Sequence, residues 1–167
     1  SIVTPIKFSW GKWVEVEHED IAKQMEELDF EIKLLSNTID NCPSIKIGID
    51  STEYFNGEVL GEQTVKFSAS VLDNFNLNID YAGNNPADLI LNEQGMPINS
   101  VIVTVDSVKI EGIDVTEMAY NHSKFNIDPN EKYIEDYQLE ECMELGPRGV
   151  WTMPMQSPVY IWILENL

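Results

Sequence analysis

Residues 64–81 read Thr64-Val65-Lys66-Phe67-Ser68-Ala69-Ser70-Val71-Leu72-Asp73-Asn74-Phe75-Asn76-Leu77-Asn78-Ile79-Asp80-Tyr81. Apolar residues occupy every second position on both sides of Asp73-Asn74, the period of a strand that buries one face. Working outward, the same alternation runs through Leu28, Phe30, Ile32 and Leu34, and through Ile45, Ile47 and Ile49. It returns in Val101, Val103 and Val105, in Val108 and Ile110, and in the apolar run Val159 to Leu164. Asp50-Ser51-Thr52 reads as a turn before Tyr54, Phe55 and Val59, with Asn56-Gly57 as a rival turn or bulge. Gly61-Glu62-Gln63 and Asp73-Asn74 are connections of hairpin length. About eight to ten short strands without intervening helices predict an all-β fold, an antiparallel two-sheet sandwich or jelly roll. At 167 residues the chain is expected to form one domain.

The opening segment, residues 1–27, differs in character. Ile6, Phe8, Trp10 and Trp13 suit an edge strand, and Glu17-His18-Glu19-Asp20 before Ile21, Met25 and Leu28 predicts one short N-terminal helix. Helical spacing continues through Ile32, Leu35 and Ile39 and competes with a strand over 28–35. The alternation through Phe30 and the loop residues Asn37, Asn41 and Pro43 favour the strand.

Ten Lys and Arg against 29 Asp and Glu give a net charge of −19, which repels phosphate and excludes nucleic acid and anionic membrane as partners. Solubility, docking to a basic protein surface, and carboxylates around a divalent cation remain open as its purpose. No apolar run approaches the roughly 20 residues that span a bilayer, and the N-terminus shows no signal-peptide pattern, so a soluble chain is expected. Cys42 and Cys142 lie far apart in sequence with no Cys or His at ligand spacing, which leaves two buried free thiols or one long-range bridge. Neither His18 nor His122 adjoins a Ser or Cys nucleophile motif, and glycine-rich phosphate loops and paired metal histidines are absent. A non-catalytic protein is expected.

The unit Ser44 to Tyr81, with the later Val108-Lys109-Ile110-Glu111-Gly112-Ile113-Asp114, resembles the core of jelly-roll carbohydrate-binding modules. The same order, closing on Val159 to Leu167, also resembles small β-sandwich structural proteins of tailed phages of cyanobacteria. The phage resemblance carries the main expectation, a non-catalytic accessory virion component acting through protein–protein contacts, with other virion proteins or further copies in a homo-oligomer as partners. The first implies a secreted or soluble module that binds polysaccharide.

Three regions carry candidate sites. Asp80, Asn84, Asn85 and Asp88, followed by Asn92 and Glu93, place oxygen-bearing side chains in a loop shaped by Gly83, Pro86, Gly95 and Pro97, chemically suited to calcium. These are also ordinary turn residues, and the spacing is not that of a helix-loop-helix calcium site. Residues 119–147 lose the alternation and read as a long acidic excursion, laid either on a neighbouring subunit or over the end of its own sandwich. Both faces of a strand over 159–164 would be apolar, so either Trp10 and Trp13 cover one of them or Tyr160 and Trp162, with Trp151, form an aromatic binding platform.

Overall fold

A computed structural model describes residues 25–167. The expected N-terminal edge strand and helix lie outside the described residues, as does the Trp10 and Trp13 covering. The elements are β1 Glu26–Ser36, β2 Ser44–Ile49, β3 Thr52–Glu58, β4 Glu62–Val71, β5 Asn74–Tyr81, β6 Val103–Ile110 and β7 Ile113–Asp114. Helix α1 Thr116–His122, β8 Lys124–Ile127, β9 Gln138–Glu140, β10 Glu144–Leu145, β11 Gly149–Gln156 and helix α2 Val159–Glu165 complete the series. One sheet has the order β10-β6-β1-β4 with β7 on β6; the other runs β3-β2-β5-β11-β8-β9. All pairings are antiparallel. The expected β-sandwich is therefore present, with few helices.

The period-two residues meet between the sheets. Leu28, Phe30, Ile32 and Leu34 of β1 and Phe75, Leu77, Ile79 and Tyr81 of β5 are all at most 2% exposed. Near the β3/β4 edge the core ends in stacked rings, Tyr54 on Phe67 at 4.7 Å and Phe67 on Phe30 at 5.1 Å between centroids. Such pairs add to simple area burial.

Several expectations change. Asp50 does make the β2–β3 hairpin, with a left-handed φ of 53°, while Asn56-Gly57 lie within β3. Gly61-Glu62-Gln63 and Asp73-Asn74 are not hairpins: β3 and β4, and β4 and β5, belong to opposite sheets, so these short connections arch across the core. Val103 to Val105 and Val108 to Ile110 form one strand, because Lys33 pairs with Ser107 and Leu34 with Val105, leaving Asp106 as an extra residue. That bulge lets Val105 and Val108 both face inward despite their odd spacing.

The excursion over 119–147 is largely structured. Met118 and Ala119 of α1, Phe125 and Ile127 of β8, and Leu145 of β10 are buried, with Glu135, Asp136, Glu140, Glu141 and Glu144 exposed around them. The run 159–164 is helix, not strand: Val159, Trp162 and Ile163 are buried at helical spacing, while Tyr160, Ile161 and Leu164 face out. A short run that is apolar throughout fits either period, and the buried set decides it. The central strand β11 is masked in the sequence although Trp151, Met153 and Met155 alternate, because Pro154 interrupts the pattern. The β8 pairing ends at Thr152 with Lys124, so at Pro154 the strand has β5 as its single neighbour among the described residues, where proline is tolerated.

Among the described residues no helix is long and apolar enough to cross a membrane. Both cysteines are free, Cys42 buried and Cys142 half-buried.

Candidate functional site

The connection from β5 to β6, residues 82–102, folds back on itself at one end of the sandwich. Leu91 bridges Pro97, and Asn92 closes the tip by accepting from Gln94 N at 2.9 Å and Met96 N at 3.0 Å through Oδ1. Asn99 holds the base, accepting from Ile90 N at 2.7 Å and donating to Asp88 O at 2.9 Å. Asn84 anchors the whole connection to the sandwich. Its Nδ2 donates to Val101 O and Gly146 O, both at 3.1 Å, and its Oδ1 accepts from Val101 N at 2.8 Å. Tyr81, buried in β5, donates its hydroxyl to the same Val101 O at 2.9 Å. Burial, with a smaller push from Cys42, drives the Tyr81 hydroxyl far above the ordinary phenol range, so it remains a donor.

Opposite stands the β8–β9 loop. Asp128 N donates to Arg148 O at 2.9 Å, Glu131 Oε1 accepts from Arg148 N at 2.6 Å, and the Arg148 guanidinium Nε lies 3.3 Å from Asp128 Oδ2. Tyr137 donates its hydroxyl to Glu131 O at 2.8 Å. Gly83 has a φ of +76°, and a Cβ there would lie 2.6 Å from Arg148 N, so only glycine lets the two segments approach.

Between these walls lies a groove of about 460 Å³, within the size range of small-molecule sites. Leu89, Leu91, Met96, Pro97 and Ile102 make its apolar side. Asn130, Glu131, Lys132, Tyr133 and Arg148 bring polar atoms and one ring to the other. Tyr133 is 50% exposed and adopts a φ of 66°, a conformation that costs a bulky residue energy and is concentrated at functional loops.

The residues expected to hold calcium are not gathered into one cluster. Asn84 and Asn85 have their amide oxygens engaged by Val101 N and Ala87 N. Asp80 lies apart, on the outer face of its sheet between Lys46 and Val150, and Asp88 sits in the short turn after Pro86. The asparagines shape turns, the other reading their composition allows. Among the described residues no three His, Cys, Asp or Glu side chains form a metal-holding group.

The aromatic platform is also revised. Trp151 is fully buried in β11 and donates Nε1–H to Cys142 O at 3.0 Å. Trp162 is 7% exposed and meets His122 edge-on, with centroids 5.8 Å apart, leaving Tyr160 as the exposed member of the three. The groove residues Asn130, Tyr133 and Arg148 were not singled out from sequence. The one available signal was Arg148, the sole arginine of the chain, flanked by Gly146-Pro147 and Gly149.

No family model and no curated protein matches the chain. Two solved structures are similar. The selenomethionine form of vCBM60, reported in a study of circular permutation linking two families of calcium-dependent carbohydrate-binding modules, has a TM-score of 0.48 and 12% identity, covering 75% of this chain and 89% of its own. vCBM60 in complex with galactobiose has a TM-score of 0.48 and 11% identity, covering 75% of this chain and 96% of its own. Likeness at that level assigns no ligand and no residue role to this chain.

Proposed function

We propose that the chain is a non-catalytic binding module that holds an oligosaccharide in the groove between the 82–102 connection and the β8–β9 loop. The half-exposed Tyr133 carries the reading: a ring in a strained backbone, on a groove wall that also bears Asn130, Glu131 and Arg148. A sugar ring offers an apolar C–H face to an aromatic or aliphatic wall and a rim of hydroxyls to amide, carboxylate and guanidinium groups. Asn84 and Gly83 fix the walls before any ligand arrives, which lowers the ordering cost of binding. Calorimetric titration with a panel of neutral and acidic oligosaccharides tests this. At least one should bind the native chain, and Tyr133→Ala should weaken it about tenfold or more without lowering the melting temperature; an inert panel overturns the reading.

A second reading, contact with another protein or another copy of the chain, is favoured by α2. Tyr160, Ile161 and Leu164 on its outer side are 49%, 53% and 70% exposed. A virion role belongs to this reading and rests on the strand-order resemblance. Sedimentation of the native chain and of Leu164→Asp distinguishes it: an oligomer dispersed by the substitution supports contact through this helix, and a monomer in both removes self-association.

A further inference from the structure

We infer that the groove selects a saccharide bearing a carboxylate, such as a uronic acid, with Arg148 as the reading group and Lys132 beside it; this rests on the groove reading proposed above. Arg148 is the only arginine in a chain of net charge −19, and it stands on the groove wall. Its main chain is held at both polar atoms, N by Glu131 Oε1 at 2.6 Å and O by Asp128 N at 2.9 Å, with Gly83 closely packed on the backbone. Asp128 Oδ2 engages the guanidinium at Nε, 3.3 Å away. One edge of the planar fork is thereby oriented from within the protein. Its side chain is still 49% exposed, and a second edge matched to a carboxylate remains on the terminal nitrogens.

The local charges make this workable despite the acidic surroundings. Asp128 and Glu131 balance Arg148 and Lys132, and both carboxylates are already engaged with Arg148, whereas Lys132 makes no ion pair with a described residue. The neighbouring acids Asp88, Glu93, Glu135 and Asp136 are exposed to solvent. At physiological salt, repulsion from such charges is screened over about 8 Å, while a contact with the fork at hydrogen-bond distance is screened far less. The aliphatic wall of Leu91, Met96 and Ile102 receives the C–H face of the ring that carries the acid.

Titration with digalacturonate, its dimethyl ester and galactobiose tests the assignment on the native chain, Arg148→Gln and Lys132→Gln. Digalacturonate should bind at least about tenfold more tightly than either uncharged disaccharide, and each substitution should weaken digalacturonate alone. Should Arg148→Gln fail to fold once Asp128 loses its partner, the ester comparison and the surface variant Lys132→Gln still decide. If the uncharged disaccharides bind as tightly and neither substitution matters, carboxylate selection is overturned while the groove stands. If none of the three binds, digalacturonate included, this assignment is overturned, and the wider panel with Tyr133→Ala judges the groove itself.

Discussion

The carboxylate of Glu26, at the start of β1, accepts the backbone N–H of Val159 at 3.0 Å and the hydroxyl of Ser157 at 2.6 Å, tying together residues 133 and 131 positions apart. The residue preceding α2, Pro158, supplies no side-chain cap, so Glu26 serves a helix end that would otherwise leave an N–H unpaired.

Glu26→Ala should therefore destabilise the chain by about 1–2 kcal/mol, the scale of a lost helix cap. Glu26→Gln keeps one acceptor oxygen and should cost less. Urea unfolding gives the magnitude. Hydrogen exchange gives the location, with faster exchange confined to 157–165; unchanged exchange there would refute a capping role.

Asn84 predicts the opposite ranking of substitutions. Asn84→Ala removes three hydrogen bonds to Val101 and Gly146 and should cost about 1–3 kcal/mol. Asn84→Asp preserves the acceptor toward Val101 N but points a carboxylate oxygen at two carbonyls in place of an N–H donor, so it should be at least as damaging as alanine. Chemical denaturation of both variants checks the order, and a near-native Asn84→Asp would show that the amide donor is dispensable.

Acid sensitivity should include a contribution from Asp114. The side-chain and backbone bonds from Thr116, at 2.5 and 3.0 Å, hold its carboxyl below the usual carboxylate range. A depressed folded value means the stabilisation is complete above the unfolded value of about 3.9 and is lost as pH falls through the lower folded value. The stability gap between native chain and Asp114→Ala should be full near neutral pH and shrink below about pH 4. A gap that stays constant down to pH 2.5 would sink this account.

Much of the sandwich was legible because its strands bury one face each. Ile45, Ile47 and Ile49 or Phe75, Leu77 and Ile79 admit one period only, and the structure buries every one of them. Legibility failed where local pattern was ambiguous or tertiary. Val159 to Leu164 is apolar at every position, so only its packing through Trp162 and Ile163 reveals a helix. Pro154 hid β11, whose tolerance of proline depends on where β8 ends. The sheet to which a strand belongs was invisible, since the connection at Asp73-Asn74 is short enough for a hairpin yet crosses the core. The groove was the least legible part: Gly83 and Arg148, or Asn84 and Gly146, meet only once the sandwich has formed.

The two thiols should differ in reactivity without pairing. Burial raises the Cys142 thiol above its ordinary value, an effect partly offset by a backbone hydrogen bond from Glu144 and reinforced by the nearby Glu144 charge. Since the thiolate is the nucleophile, a half-buried thiol with a raised value reacts slowly at neutral pH and faster as pH climbs. Cys42 is only 2% exposed, so its modification requires opening of the core around it. Alkylation followed by mass spectrometry should accordingly label Cys142 first, with a rate that rises up to and beyond pH 9, and label Cys42 only when denaturant is present. Equal labelling of both in the native chain, or a Cys42–Cys142 bridge under mild oxidation with the fold retained, would contradict the free, separately buried thiols.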